Sequence, residues 1–284
     1  MHSLYGSQKE PVLKLAYSVL IVFVIWSGSA AGKDAWSGLC DGLELGEFKA
    51  AEYTPAGDSV VTILRIDPKE WQLRLLSISE NGDGQPRAAR NWCADYGLTA
   101  AINAGMFNTD NRSHTGYMKC GKHTNNGTLN SYKSIAAFDP VQSDSARFRI
   151  FDLDATDFYA IRNSYSCVVQ NLRLIDRGRT NRWTPQEKRW SEAALGEDSK
   201  GRVLFIYCRS PYSMYDFNRI LLSLPIDLVC AQHLEGGPEA QLYVHYGSTE
   251  LDLSGGYESG FSEDDWNSEA LPIPNVIGVV RRTP

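Results

Sequence analysis

The sequence predicts an α+β fold, in which a single domain has a mixed β-sheet core and a few helices. Many short apolar runs, rich in β-branched and aromatic residues, alternate with turn-forming residues, which is typical of strands. Only two segments carry helical signals. No repeat and no low-complexity linker divides the 284 residues, and this length is within the range of one β-rich domain.

The apolar runs give the order of the predicted strands. Two pairs of runs flank short polar turns, at 67–70 and 198–201, and each pair is predicted to form a hairpin. The predicted strands are 60–66, 71–78, 98–104, 134–139, 147–153, 164–175, 193–196, 202–208, 227–234, 240–246 and 274–281.

Two helices are predicted from their ends and their spacing. Segment 86–97 has a proline near its start and a glycine at its end. Segment 210–224 begins with Ser210, a good N-cap, and Pro211, which suits the first helical position. Apolar residues recur on one face of this second helix, which we expect to be buried: Met214, Phe217, Leu221 and Leu224.

The N-terminal segment is predicted to be a signal peptide, residues 1–31. Two lysines precede a short apolar run at 15–26, and small residues follow it up to Ala31. An uncleaved N-terminal anchor is the alternative, because the two signals are similar. We therefore expect a domain over residues 37–284 that is secreted or periplasmic, with no membrane span after cleavage.

Charge and cysteine content restrict the function classes. The formal net charge is −6, which makes the chain a poor candidate for binding nucleic acid, whose phosphates require a basic face, and no nucleic-acid partner is predicted. Six cysteines in an oxidising compartment indicate disulfides, although Cys208 and Cys230 suit buried thiols equally well.

No metal site and no cofactor are predicted. The absence of a CxxC motif argues against structural zinc. The acidic segment 262–266 has ligands suited to calcium, and a solvated loop is the alternative interpretation.

Functional residues are expected where predicted strands end in polar, glycine-containing loops. Asn103 and Gly105 follow one such strand, and the amide of Asn103 suits a sugar hydroxyl or a phosphate oxygen, although a turn-forming role is the simpler alternative. Lys119 and Lys122 form a local cationic patch, which is either a ligand site or a solvated loop.

Two further strand ends carry charged residues. Arg209 and Ser210 precede the second helix, where a guanidinium and free backbone N–H groups suit an oxyanion. Glu235 follows a buried strand and is a candidate for a shifted pKa, with Gly236 and Gly237 leaving room for a substrate. His233 is interpreted as a core histidine with a satisfied partner.

Four motifs, in this order, resemble the phosphodiester glycosidase family. They are INAGMF at 102–107, VVQNLRLI at 168–175, EAALG at 192–196 and LEGGPEA at 234–240, and the resemblance covers roughly residues 60–281. The chain departs from the family pattern where Glu235 replaces an aspartate, where Pro238 and Glu239 replace a serine, and where Glu192 falls on an arginine position.

The resemblance implies a hydrolase that cleaves the glycosidic bond of a sugar-1-phosphodiester, or of a related glycoconjugate. It implies catalytic roles for Glu235 at the anomeric centre, Glu192 as activator of water, Arg209 at the phosphate and Asn103 at sugar hydroxyls. The remaining residues of the implied substrate site are Gly105, Phe107, Lys119, Lys122, Ser210, Gly236, Gly237 and Glu239. The expected partner is a carbohydrate or sugar-phosphate substrate.

Two alternatives stay open. A glycosidase or transglycosidase acting on neutral glycans would use Glu235 and Glu192 as its acid pair and would not need the cationic patch. A non-catalytic carbohydrate-binding protein would use the plentiful aromatic side chains for stacking on sugars.

Overall fold

The structure, a computed structural model, describes residues 35–52, 54, 56–263, 266–267 and 269–283. Residues 32–284 form one compact unit. The predicted signal peptide, residues 1–31, lies outside the described residues, as do two positions of the acidic segment 262–266.

Strands make up most of the regular structure. The helices are α1 (Ala89–Tyr96), α2 (Phe158–Ser164) and α3 (Met214–Ser223), with one 3₁₀ turn at Gly237–Glu239. The strands are β1 (Trp36–Cys40), β2 (Leu43–Lys49), β3 (Val60–Ile66), β4 (Trp71–Ser77), β5 (Ala100–Asn103), β6 (Met118–Cys120), β7 (His123–Asn126), β8 (Ser134–Pro140), β9 (Phe148–Asp152), β10 (Tyr165–Asn171), β11 (Arg173–Ile175), β12 (Trp190–Asp198), β13 (Val203–Tyr212), β14 (Leu228–Gly236), β15 (Gln241–Tyr246), β16 (Thr249–Ser254) and β17 (Asn275–Arg281).

These strands form three sheets. The largest has seven strands in the order β1-β2-β3-β13-β12-β14-β11, and two five-stranded sheets have the orders β7-β6-β10-β8-β9 and β16-β15-β5-β17-β4. Each strand pairing in the described part of the chain is antiparallel, as between β12 and β14. The fold is therefore more β-rich than the predicted α+β class, and the prediction of a mixed sheet was wrong.

One predicted hairpin forms and the other does not. β12 and β13 pair around the turn at 198–201, as predicted. β3 and β4 do not pair, because β3 lies between β2 and β13 while β4 pairs with β17 in another sheet. The turn at 67–70 thus carries the chain from one sheet to another, which local sequence does not reveal.

Two other predicted elements differ in extent. The single strand predicted at 164–175 divides at Leu172 into β10 and β11, which belong to different sheets. Helix α3 begins after Ser213, whose side chain accepts a hydrogen bond from Asp216 N, so the predicted N-cap at Ser210 was wrong. Ser210 is instead within β13, which continues to pair with β12 as far as Tyr212.

The buried apolar side chains show how the three sheets and helix α3 pack against one another. Side chains from all three sheets share one core, whose largest members include Trp71, Phe138 and Phe205. Helix α3 covers the other face of the seven-stranded sheet with Met214, Phe217 and Leu221, as its spacing predicts. The central strands β12, β13 and β14 are buried on both faces, so their ends are rigid positions for functional side chains.

One disulfide joins Cys120 and Cys167, which face each other on the paired strands β6 and β10. The expectation of a disulfide is therefore confirmed for this pair. Among the described residues, Cys40, Cys93, Cys208 and Cys230 are free thiols, and the last three are buried. Within the described residues we find no helix with the length and apolar character that crossing a membrane requires.

Candidate active site

A cleft of about 360 Å³ lies where β12 and β14 end, and we call it the aromatic cleft. This volume is within the usual range for sites that bind small molecules. Loops after β5 and β16 and the start of α3 complete its walls. Its lining residues are Met106, Phe107, Leu172, Trp183, Trp190, Met214, His233, Glu235, Gly236, Glu239 and Glu258.

His233 forms part of one wall of this cleft, and the buried carboxylate of Glu192 lies behind it. Nδ1 of His233 lies 2.6 Å from Oε1 of Glu192, and Nε1–H of Trp190 donates to Oε2 of the same carboxylate at 2.8 Å. Both oxygens of Glu192 are thus occupied, and its side chain is 3 % exposed. Glu192 therefore holds His233 and Trp190 in place.

The carboxylate and the imidazole each alter the pKa of the other. Burial raises the pKa of Glu192, and the contact with His233 only partly opposes this effect. Burial disfavours the imidazolium, but the Glu192 carboxylate outweighs it and raises the pKa of His233. An imidazole whose charged form is stabilised in this way supplies positive charge and a proton at the cleft wall.

Among the residues that line the cleft, Glu235 is the one whose pKa is most clearly shifted by burial. Burial raises the pKa of Glu235 to about 8, although His233 acts in the opposite direction. The side chain is nonetheless partly exposed and lines the cleft. A carboxylic acid that keeps its proton at neutral pH is suited to general acid catalysis.

Two more acidic side chains, Glu239 and Glu258, line the cleft beside Glu235. Burial and the neighbouring Glu258 raise the pKa of Glu239. Within the described part of the chain, the side chain of Glu258 has no hydrogen-bond or ion-pair partner, although it lines the cleft. None of the described residues that line the cleft is a lysine or an arginine, so its chemistry is acidic and aromatic.

The turn after β14 sets the direction of these acids. β14 pairs with β12 through a register shift that places Glu235 opposite Ala193 and His233 opposite Ala194, leaving Leu234 as an extra residue. Such bulges re-aim side chains beside functional sites. At Gly237 the backbone has φ +66°, and a Cβ there would lie 2.7 Å from Oε2 of Glu258, so glycine is favoured at this position.

Asn103 supports this turn from behind. Its Nδ2 donates to the carbonyl of Glu239 at 2.9 Å, and its Oδ1 accepts from the backbone N–H of Gln241 at 2.7 Å. The side chain is 1 % exposed and does not line the cleft. Its amide therefore positions the strand end that carries Glu239, and it is buried away from any sugar bound in the cleft.

The absence of a side chain at Gly105 leaves room for a second buried histidine, His114. A Cβ at Gly105 would lie 2.2 Å from Nε2 of His114 and 2.3 Å from Oδ1 of Asn171. Nδ1 of His114 accepts from the backbone N–H of Gly116 at 3.0 Å, and its Nε2 lies 3.3 Å from Oδ1 of Asn171. Burial lowers the pKa of His114, so this imidazole is neutral and structural, and its backbone forms an antiparallel bridge with that of Phe107.

The structure brings several predicted residues together at this site. Glu235, Gly236, Glu239 and Phe107 line the cleft, and Gly237 belongs to the turn that joins two of them. Glu192, Asn103 and Gly105 lie directly behind, where they position the lining residues.

The predicted cations lie elsewhere. The guanidinium of Arg209 donates to the carbonyls of Ser254 and Asn267 in a second cleft, which it shares with Tyr207. Glu192 pairs with Cys208 on β13, so the next residue, Arg209, points to the opposite face of the sheet.

The remaining predicted residues also lie apart from the aromatic cleft. Lys119 is on β6, and Lys122 is exposed beside another cleft near Asn81. Ser210 is fully buried, and its Oγ accepts a hydrogen bond from the backbone N–H of Ser59.

Sequence reasoning did not identify several residues of the cleft, among them Trp183, Trp190 and Glu258. Trp190 is two residues before Glu192 in a strand-like run, and this spacing is a signal that the two share a face. Glu258 lies in a glycine-rich loop with no local signal. Among the described residues, no group of three histidine, cysteine or acidic side chains is arranged to hold a metal ion.

The chain is similar to known proteins in both sequence and fold. Residues 96–280 match the family model described as phosphodiester glycosidase. A search of curated protein sequences found no match.

Solved structures show the same fold at low sequence identity. A hypothetical protein from Synechocystis has a TM-score of 0.60 and 16% identity, and the match covers 85% of this chain and 62% of that protein. The catalytic domain of zebrafish N-acetylglucosamine-1-phosphodiester α-N-acetylglucosaminidase, auto-inhibited by its pro-peptide, has a TM-score of 0.59 and 13% identity, with 85% and 84% coverage. The chain thus spans less than two thirds of the Synechocystis protein.

Proposed function

Because the chain belongs to the phosphodiester glycosidase family, we propose that it is a glycosidase-type hydrolase whose active site is the aromatic cleft. The observation that carries this proposal is the position of Glu235, a partly exposed acid held among other carboxylates between aromatic walls. Paired carboxyl groups in different environments are the usual equipment of glycoside hydrolysis.

In the proposed reaction Glu235 is the general acid. It donates its proton to the leaving oxygen as the bond from that oxygen to the anomeric carbon breaks. The positive charge that develops on the sugar is stabilised by the carboxylate of Glu258, whose charge already contributes to raising the pKa of Glu239. Water then adds to the anomeric carbon. One of the carboxylates that line the cleft takes up the proton that this water molecule loses.

The other residues orient this pair. His233, held by Glu192, fixes the wall beside Glu235 and limits how far the acid can move. Trp183, Trp190 and Phe107 offer aromatic faces on which a sugar ring can stack. Glu192 is thus a positioning residue, since its carboxylate is buried behind His233 and Trp190 and does not line the cleft.

The charge of the cleft favours an uncharged leaving group. Two unit charges 4 Å apart near a protein surface interact by about 4 kcal/mol, and this energy opposes binding of an anion beside an ionised carboxylate. A phosphodiester oxygen would need a cation, and none of the described lining residues supplies a lysine or arginine. We therefore place a neutral glycoside first as substrate.

A sugar-1-phosphodiester is the second candidate, and family membership favours it. Protonated His233 is the only imidazole among the described lining residues, and it would have to offset the phosphate charge. Among the predicted cations, Arg209 and Lys122 line other clefts in the described structure.

A direct comparison of substrates tests the proposal. The purified chain is assayed with neutral aryl glycosides of both anomers and with the methyl phosphodiesters of the same sugars, and kcat/KM is measured for each. We expect turnover of at least one neutral glycoside with the larger kcat/KM. Turnover of the phosphodiester alone would reverse the order of the two substrates. Sugar binding without any turnover would overturn the hydrolase and support the carbohydrate-binding alternative.

We also propose that the protein works outside the cytoplasm. The disulfide between Cys120 and Cys167 is typical of oxidising compartments, and the N-terminal segment has the pattern of a signal peptide. Fractionation of expressing cells, with detection of the N-terminus of the mature chain, tests this localisation.

A further inference from the structure

A further cleft, of about 490 Å³, is separate from those of Glu235 and Arg209 and lies at the opposite end of β12 from Glu192. Glu192 and Glu197 are five residues apart on this strand, or about 17 Å. Three turns meet at the cleft, those that precede β4, β9 and β13. We call it the basic cleft, because its lining residues include Lys69, Arg147, Arg149, Lys200 and Arg202.

Both acids that line the basic cleft are engaged. Glu197 accepts from both Nη atoms of Arg177, at 2.6 and 3.0 Å, and is thereby neutralised. Oδ1 of Asp67 accepts from the backbone N–H of Lys69 at 2.9 Å and stabilises the turn.

Most of the cations are not neutralised. Arg202 pairs with Asp198 at 2.6 Å and with Glu44 at 3.3 Å. In the described part of the chain, the four other cations of the cleft make no ion pair, and the side chains of three of them are exposed to solvent: Lys69, Arg147 and Lys200, with Arg149 partly buried. This local excess of positive charge contrasts with the net charge of −6 of the whole chain.

A further arginine, Arg282, adds positive charge beside the basic cleft. Nε of Arg282 donates to the carbonyl of Pro68, a lining residue, at 3.0 Å. Burial lowers the pKa of Arg282, and the like charge of Arg147 lowers it further, although Asp139 acts in the opposite direction. Like charges held together by three separate turns cost free energy unless a counter-ion is bound.

We propose that the basic cleft is an anion site that binds a phosphate or sulfate group, distinct from the aromatic cleft. An arginine fork can donate to two oxygens of a tetrahedral phosphate or sulfate group at once, and lysines add flexible point charges. The anion is either a free polyphosphate or sulfate group, or a group carried on a polysaccharide. The two sources share one chemistry and differ in how many groups bind at once.

Calorimetric titration of the full chain tests this site with two probes, inorganic pyrophosphate and dextran sulfate. The test variant is Arg147→Gln/Lys200→Gln, and both side chains are exposed, so folding is retained. The matched control is Arg112→Gln/Lys49→Gln, which removes the same charge from one arginine and one lysine at exposed positions outside the cleft.

We expect at least one probe to bind the wild-type chain, more weakly as salt is added. The test variant should lose affinity at least about tenfold, and the control should change less than about threefold. Equal losses in both variants would overturn a localised site, and so would the absence of binding by both probes. Pyrophosphate binding alone identifies a free anion as ligand, whereas much tighter binding of dextran sulfate identifies a polysaccharide-borne group.

Discussion

Nδ1 of His233 lies 2.6 Å from Oε1 of Glu192, a contact between two buried side chains that joins β14 to β12 beside Glu235. The carboxylate raises the pKa of the imidazole against the effect of burial. This pair connects the strand register to the electrostatics of the aromatic cleft, and the predictions below follow from it and from its neighbours.

Glu235→Gln should reduce kcat by about 10²–10⁴-fold on any substrate that the protein hydrolyses, because the general acid is lost. KM should change little, since the side chain keeps its size. The measurement is steady-state kinetics at pH 6 to 7. Glu47→Gln, an exposed acid on β2, is the control and should retain full activity. Activity of Glu235→Gln within threefold of wild type would remove Glu235 from the mechanism.

Glu235 should also make stability depend on pH. Its pKa is about 8 when folded and 4.5 ordinarily, so between these values the folded chain holds a proton that the unfolded chain has lost. The contribution to stability is thus fully present below pH 4.5 and is lost as pH rises through about 8. Calorimetric Tm values at pH 5.0 and 8.5 should differ more for wild type than for Glu235→Gln. An identical difference in both proteins would contradict the raised pKa.

Glu192→Gln should lower the pKa of His233, because the carboxylate that stabilises the imidazolium is removed. Titration of the imidazole Cε1–H resonances by NMR measures this change directly. We expect kcat to fall about tenfold, with a shift in the pH–rate profile that a purely structural role would not produce. An unchanged titration of His233 would show that the contact does not control its charge.

Gly105→Ala should destabilise the fold by about 3 kcal/mol, since the new Cβ would overlap His114 and Asn171 at a backbone φ of +150°. The urea midpoint measures the loss. Gly127→Ala is the matched control, because its Cβ would meet only one atom, at 3.8 Å. If both variants unfold at the wild-type midpoint, His114 does not pack against Gly105 in solution.

Glu239→Gln should shift substrate preference towards the phosphodiester. Removing one carboxylate from the cleft reduces repulsion of an anion and leaves binding of a neutral sugar almost unchanged. We expect the ratio of kcat/KM for phosphodiester over neutral glycoside to rise about fivefold, while Glu47→Gln leaves this ratio as it is. A ratio that falls would mean that Glu239 assists the anionic substrate.

Local sequence was sufficient to predict most strands and the position of Glu235 at a strand end. Apolar runs bounded by turn residues place β12, β13 and β14 correctly, and the order of four motifs predicted the family that the family model confirms. These features depend on residues close together in the chain. The same local signals did not predict β1, β2, β6, β7 or β16, which are short or alternate less clearly.

Only the tertiary structure decided which residues meet. Arg209 follows Cys208, the strand partner of Glu192, and a strand sends successive side chains to opposite faces, so the sheet itself separates this predicted cation from Glu192. The bulge at Leu234 and the loop that carries Glu258 have no local signature, yet they assemble the carboxylates of the cleft. Sequence alone determined where Glu235 stands along the chain, and strand register across three sheets determined its neighbours, because register depends on pairing between distant segments.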